Sequence, residues 1–307
     1  LPLRIAYHAN VFRALEEEAG KESEFFQTGV ELVGDGSAEA DAEVIALAVA
    51  SLKAAGIETF RFSVGHVGFL NGFFQEKLSS QPHIQQELKD CLLRRDHVGY
   101  RQIIRQLDLP AAAKEALEGI LRLRGGKEVC AQAHELTADQ TARQAMDHLC
   151  EIWEVLGDYG AQEDVMIDLT MIGDFSYYTG MTFEGYAAEL GFPVCSGGRY
   201  DNLLQQFGRP APATGFALKT NRILEVLGHQ PVEEGRSVLV LYQANNRREA
   251  LQQAQQLRDG NAGIVVTRKV DEQEMCSILA TRAADGSYTV DEVRYYDVIT
   301  FGSEKGV

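Results

Sequence analysis

The sequence predicts an α+β fold: a mainly antiparallel sheet with helices segregated against it, a helical insertion, and a small C-terminal α/β domain. Three observations carry this prediction. Apolar residues alternate or cluster at strand length in two runs between residues 3 and 33 and in four more between 165 and 218. Two stripes at helical spacing separate these groups. Beyond residue 236 strands and a helix alternate, the pattern of a parallel βαβ unit. A chain of 307 residues accommodates two domains. They are expected at 1–228, with the insertion at about 73–135, and at 236–307.

Leu3 to Phe12 reads as a strand, Ala14 to Glu24 as an acidic loop, and Phe25 to Val33 as a returning antiparallel strand. In Ala38 to Ala55 the residues Val44, Ile45, Leu47, Ala48 and Leu52 form a helical stripe that Gly56 stops. Phe60, Phe62 and Val64 alternate in a strand, and Gly65 to Gly72 is expected to be a turn. From Phe73 to about Leu123 the composition fits two or three short helices punctuated by Pro82 and Pro110. Thr137 and Gln140 have capping-box spacing, ahead of the stripe Ala142, Ala145, Met146, Leu149, Ile152, Trp153 and Leu156, which Gly157 ends. Val165 to Met171, Tyr178 to Ala188, Phe192 to Ser196 and Thr214 to Leu218 are the next strands, with a helix over Thr220 to Leu227. His229 to Gly235 reads as a linker. Val238 to Tyr242, Gly263 to Thr267 and Asp297 to Phe301 are strands, and Asn245 or Asn246 is placed to cap a helix bearing Ala250, Leu251, Ala254 and Leu257.

The formal net charge is −16, and the basic pairs Arg94-Arg95 and Arg247-Arg248 are isolated. Nucleic-acid binding draws affinity from clustered cations that release counterions, so this charge argues against tRNA as a partner. No apolar run approaches the roughly 18 residues that span a bilayer. The five cysteines, Cys91, Cys130, Cys150, Cys195 and Cys276, are widely spaced, with no CxxC pair. Reduced, mostly buried thiols are expected rather than a disulfide framework or zinc site. Cys130 and His134 are four apart, but no second pair joins them. No cofactor is expected. The chain starts Leu1-Pro2-Leu3-Arg4 without Met, so its start is not read as a natural N-terminus.

Four polar clusters stand beside or within the predicted strands: Arg13; Gln27 with Glu31; Tyr177-Tyr178 with Thr182, Phe183 and Glu184; and Ser196-Gly197-Gly198-Arg199-Tyr200-Asp201. Gln27 and Glu31 are four apart and face the same way on a strand. An amino-acid ligand needs acceptors for its ammonium, which Glu31 and Gln27 offer. It needs a donor for its carboxylate, which Arg13 offers, and a shaped surface for its side chain, which Tyr177 or Tyr178 offers. Gly198 lets backbone approach a ligand closely. From the residues alone Gly197-Gly198 is most simply a turn, and Arg199 with Asp201 no more than a surface pair.

The spellings taken together resemble histidyl-tRNA synthetases. Ser196 to Asp201 contains GGRYD; Tyr177-Tyr178-Thr179-Gly180 with Phe183-Glu184 looks like YYTG…FE; Phe25 to Glu31 is similar to FxQxGxE; Tyr7 to Arg13 looks like the start of class II motif 2; and Gly215 to Arg222 resembles motif 3. The resemblance runs from about Leu3 to Leu227. It implies a class II aminoacyl-tRNA synthetase-like sheet with Arg13, Gln27, Glu31, Tyr177, Tyr178, Gly198, Arg199 and Tyr200 as histidine-binding positions. Three departures qualify it. Gly173 stands where the synthetase pattern RGLDYY has its arginine, and loss of such a preorganised cation typically costs about 10²–10³ in rate. The loop after Arg13, basic in synthetases, carries Glu16, Glu17, Glu18, Glu22 and Glu24, and motif 3 carries Lys219 and Asn221 in place of a glycine and a glutamate.

Retained pocket positions beside damaged ATP positions are similar to one family, the regulatory subunits of ATP phosphoribosyltransferase. Gly65 to Asn71, Leu121 to Gly126 and SGGRYDN at Ser196 to Asn202 resemble its spelling. The resemblance implies a non-catalytic, cytoplasmic protein of histidine biosynthesis. Its partner would be the short-form catalytic subunit, its effector L-histidine, and its assembly a hetero-oligomer containing a self-dimer. The dimer-forming motif 1 helix would lie upstream of Leu1. The alternatives are an active histidyl-tRNA synthetase and a synthetase-like sensor of another amino acid.

Overall fold

In the computed structural model, residues 1–12, 23–173, 177–188, 190–228, 237–260 and 263–302 are described. Strands β1 (Leu3–Phe12) and β2 (Glu24–Val33) form an antiparallel pair from Leu3↔Val33 to Phe12↔Glu24. The connecting acidic loop lies outside the described residues, apart from Ser23 and Glu24, the latter the first residue of β2. Helix α1 (Ala38–Ala54) follows, capped by Ser37, whose Oγ accepts from Ala40 N at 3.2 Å. Strand β3 (Phe60–His66) runs directly into helix α2 (Val67–Lys77). The expected turn over 65–72 is therefore corrected. A Cβ at Gly72 would stand 2.7 Å from Ala142 N, and one at Gly68 3.3 Å from the Ala145 methyl. These glycines mark a close helix crossing, not a reversal.

The insertion is built from α3 (Pro82–Leu93), α4 (His97–Gln106), α5 (Ala111–Gly119) and α6 (Glu128–Leu136), with the two-residue strand β4 (Arg124–Gly125) before α6. Helix α7 (Gln140–Asp158) passes Gly157 and ends before Gly160, which has φ 67°. Its cap is Asp139, whose Oδ1 accepts from Ala142 N at 2.8 Å, not the expected Thr137. Thr137 instead hydrogen-bonds to Glu76. Strand β5 (Val165–Asp168) is shorter than expected, because Asp168 Oδ1 accepts from Thr170 N at 2.9 Å and turns the chain. Then come β6 (Met181–Ala187), β7 (Cys195–Arg199), β8 (Ala213–Lys219) and α8 (Thr220–Leu227). Gly197 and Gly198 lie inside β7 rather than in a turn.

Eight of the described strands form one sheet in the order β1-β2-β8-β7-β6-β3-β5-β4. Every adjacent pair is antiparallel except β3 with β5. Ile45, Phe62, Phe69, Phe73, Met146 and Phe183 belong to the core joining this sheet to α1, α2 and α7. The fold class is the α+β one anticipated, a mainly antiparallel sheet with helices packed against it. Cys130 on α6 and Cys150 on α7 form a disulfide with Cα atoms 6.2 Å apart. This corrects the expectation of reduced thiols. The two cysteines are twenty residues apart in sequence, and only helix packing brings them together. Cys91 and Cys195 are buried free thiols, whereas Cys276 is exposed.

The chain divides into two compact units, Leu1–Gly228 and His229–Val307; the expected linker at 229–235 lies outside the described residues. In the second unit, β9 (Ser237–Tyr242) is flanked by parallel β10 (Ile264–Lys269) and β13 (Asp297–Phe301). Helix α9 (Arg247–Asp259) packs Ala250 and Ala254 on Val238 and Val240. On the other face, α10 (Glu272–Leu279) and the hairpin of β11 (Tyr288–Val290) and β12 (Val293–Tyr295) cover Leu239 and Leu241. Asn246 makes no side-chain cap, because a 3₁₀ turn over Ala244–Asn246 leads into α9 instead. Among the described residues no helix is long and apolar enough to cross a membrane.

One buried ion pair locks α1 to the sheet. Arg199, at the end of β7, donates through Nε and Nη2 to the fully buried carboxylate of Asp41 on α1, each bond 2.9 Å. Its remaining donors go to Asp35 O and Asp201 Oδ1, each 3.1 Å, and Ser37 O at 3.4 Å. Burial works against the guanidinium charge, but hydrogen bonding and Coulomb attraction from Asp41 outweigh it and raise the Arg199 pKa. Arg199 and Asp201 are thus no surface pair. Removing one partner of a buried pair leaves an uncompensated charge. Asp41→Ala is expected to cost about 3–5 kcal/mol of stability in urea unfolding, and Asp41→Asn less.

Candidate functional site

The sheet presents one face to α1 and α7 and the other to the candidate site. Residues directly opposite one another in neighbouring strands share a face. Glu31, Gly215, Gly198, Thr182 and Gly65 are successive partners across β2, β8, β7, β6 and β3. Three of the five are glycines, so this row is a floor on which large side chains from elsewhere can lie. A Cβ at Gly215 would fall inside the Glu31 carboxylate, and one at Gly198 would stand 2.7 Å from the Tyr178 ring. In the next row Tyr7 lies over Gly29, its cross-strand partner, where a Cβ would meet the phenol.

Side chains gather on this floor. Gln27 Nε2 donates to Tyr7 Oη at 2.5 Å. Tyr200, just beyond β7, donates its hydroxyl to Glu31 Oε2. The Tyr177 ring lies 4.9 Å from Tyr178 and 5.7 Å from Tyr200, edge-on to the latter. The segment bearing both tyrosines is held to the end of β7: Thr179 N donates to Arg199 O at 2.8 Å, and Thr179 Oγ1 accepts from Asp201 N at 3.0 Å. Burial raises the Glu31 pKa above the usual carboxylate range, against the opposing hydrogen bond from Tyr200. Burial likewise pushes the Tyr178 and Tyr200 phenols upward, so both remain donors at neutral pH.

Of the expected positions, Gln27, Glu31, Tyr177, Tyr178, Gly198 and Tyr200 come together here. Arg199 does not: its alternation along β7 sends it to the helix face, and its five N–H groups are all engaged there. This corrects its assignment as a ligand contact, leaving it a support beneath Tyr200. Arg13 lies outside the described residues. Gly173 adjoins Tyr178, whose ring a Cβ there would meet at 2.7 Å. At the motif 3 positions, Asn221 Oδ1 accepts from Phe26 N at 3.1 Å, while Arg222 Nη1 donates to Pro193 O at 2.8 Å and packs over Phe192. Tyr7 and Asp41 were missed as site and support residues. Gly29 within a strand signalled a close approach, whereas Asp41 in a first helical turn reads as an ordinary dipole-facing acid.

The arrangement offers a carboxylate, an amide and four phenols around a floor of glycines. Such a surface suits a small, flat, hydrogen-bonding group carrying positive charge.

The family described as histidyl-tRNA synthetase matches residues 1–223. The ATP phosphoribosyltransferase regulatory subunit of Bacillus licheniformis is 45% identical over 266 residues, 86% of this chain and 67% of that protein. That of Halalkalibacterium halodurans is 39% identical over 94% of this chain and 71% of its own. The chain thus spans about two thirds of the length of these curated relatives. A crystal structure of an ATP phosphoribosyltransferase regulatory subunit/histidyl-tRNA synthetase from Bacillus halodurans C superposes with a TM-score of 0.81 at 38% identity, covering 99% of this chain and 75% of that one. The histidyl-tRNA synthetase from Nostoc sp. PCC 7120 shares the fold, with a TM-score of 0.74 at 21% identity over 91% of this chain and 68% of its own. Family description, sequence identity and fold converge: the chain belongs to the histidyl-tRNA synthetase family and, within it, to the ATP phosphoribosyltransferase regulatory subunits.

Proposed function

We propose that this protein binds L-histidine at Gln27, Glu31, Tyr177, Tyr178 and Tyr200 without activating it. In the cytoplasm it assembles, as a self-dimer within a hetero-oligomer, with the short-form catalytic subunit of ATP phosphoribosyltransferase. That subunit requires it for activity and for feedback inhibition by histidine. The observation that carries this reading is the split within one site. The carboxylate–phenol cluster is present, while Gly173, where the resemblance leads one to expect the synthetases' arginine, lies against Tyr178, whose ring occupies the space of a side chain. A pocket without that cation keeps recognition and loses the group that faces developing charge at the phosphate. The net charge of −16 further disfavours tRNA.

Inhibition requires that histidine bind one state of the assembly more tightly than another. Phosphoribosyl-ATP formation by a short-form catalytic subunit is expected to appear only with this protein present and to fall on adding histidine. Failure of either effect removes the regulatory reading, and histidine-dependent pyrophosphate exchange would replace it with synthetase activity.

Glu31 provides a second test. Hydrogen bonds to charged groups contribute about 1.5–3 kcal/mol, so Glu31→Gln is expected to weaken histidine binding roughly ten- to hundredfold by calorimetry. Its effect on stability has the opposite sign. Because burial raises the folded pKa, the protonated carboxyl is favoured in the fold. The stability this confers is complete below the unfolded value, near 4.5, and is lost as pH rises through the folded pKa. Glu31→Gln should therefore exceed the parent in urea stability at pH 7, with the gap closing below pH 4.5.

A further inference from the structure

Gly173 has a second property besides the missing cation. A Cβ built on it would stand 2.7 and 2.8 Å from Cδ2 and Cε2 of Tyr178. A Cβ built on Gly198 would stand 2.7 and 2.8 Å from Cε1 and Cδ1 of the same ring. These are opposite edges, so the ring is held edge-on between two glycines. A ring touched from one side can swing away from an added methyl, but this ring would swing into β7. Thr182 borders the slot, with its Cγ2 3.3 Å from the Gly173 Cβ position. Gly173 is not among the residues with positive φ, so alanine there meets a steric obstacle and no backbone one.

We propose that Gly173 is a positioning residue: with Gly198 it forms a slot that fixes the Tyr178 ring in the pocket. Any side chain at 173, an arginine included, then displaces Tyr178 and impairs ligand binding. The inference rests on the histidine-pocket reading for the identity of the ligand, though not for the slot itself. It also changes what Gly173 signifies. The position has not merely lost an arginine, because the volume that arginine's first carbons would need is taken by Tyr178. Reintroducing the arginine is then no return to an activating site.

The test is a double-mutant cycle on the full chain: parent, Gly173→Ala, Tyr178→Ala and the double variant. Each is followed by thermal unfolding and by titration with L-histidine. Gly173→Ala is expected to lower Tm and to weaken histidine binding by about tenfold or more. In the Tyr178→Ala background it should leave Tm unchanged, since the obstructed ring is gone. If Gly173→Ala does not fold, recovery of folding in the double variant supports the slot, and failure of both to fold overturns it. An equal Tm loss in both backgrounds also overturns it, as does histidine binding by Gly173→Ala within about twofold of the parent. Gly173→Arg is expected to show neither histidine binding nor pyrophosphate exchange, and histidine-dependent exchange by it would overturn the proposal. A parent that fails to bind histidine sinks the pocket reading alone, while the Tm cycle still decides the slot.

Discussion

The buried pair of Asp41 and Arg199 is the constraint on which the site depends. Two charges taken out of water are costly, and mutual attraction offsets that cost only when the remaining donors are satisfied as well. Here Asp41 takes two guanidinium donors, and Asp35, Ser37 and Asp201 take the rest. The pair therefore fixes three things at once: the start of α1, the loop before it, and the end of β7. Tyr200 leaves the sheet one residue later and reaches Glu31 from that fixed point. The backbone of Arg199 also holds Thr179, immediately after Tyr178. His66 nearby is kept neutral, its pKa lowered to about 3 by burial and by the charges of His148 and Arg199.

Glycines do on the other face what the ion pair does beneath. A sheet normally carries a side chain at every second position on each face. The row through Gly215, Gly198 and Gly65 leaves a floor where Glu31 and Tyr178 lie down rather than stand up. Strand glycines weaken a sheet through lost packing and greater chain entropy. The sheet tolerates them because the helices on its other face bury a continuous core. The candidate site is thus built from residues that are individually poor for the fold. Glu31, a carboxylate whose ionised form burial disfavours, is the clearest instance.

Two features of the sequence share one physical theme, the absence of cations where the resemblance to the synthetases leads one to expect them. Glu16, Glu17, Glu18 and Glu22 follow Arg13, and Gly173 stands where the resemblance leads one to expect an arginine. Neither feature alters the identity of Gln27, Glu31 or the tyrosines, although Gly173 packs against the Tyr178 ring. Under the proposed function, the ground-state contacts are kept while the groups that act on developing charge are absent.

Much of this protein was legible in its sequence. Periodicity located β1, β2, α1, α7, β8, α8 and the parallel unit after residue 236, because each buries one face and repeats at its own period. Spelling identified the family and brought Gln27, Glu31, Tyr177, Tyr178 and Tyr200 onto one list. Glycines misled where their partners were distant: Gly68 and Gly72 permit α2 to cross α7, and Gly197 and Gly198 lie within a strand. The disulfide, the role of Asp41, the turning of Arg199 away from the pocket and the slot around Tyr178 were decided only by tertiary structure. Each depends on which residue a strand register or helix crossing places opposite, and a local pattern records the period of a face without recording what that face will meet.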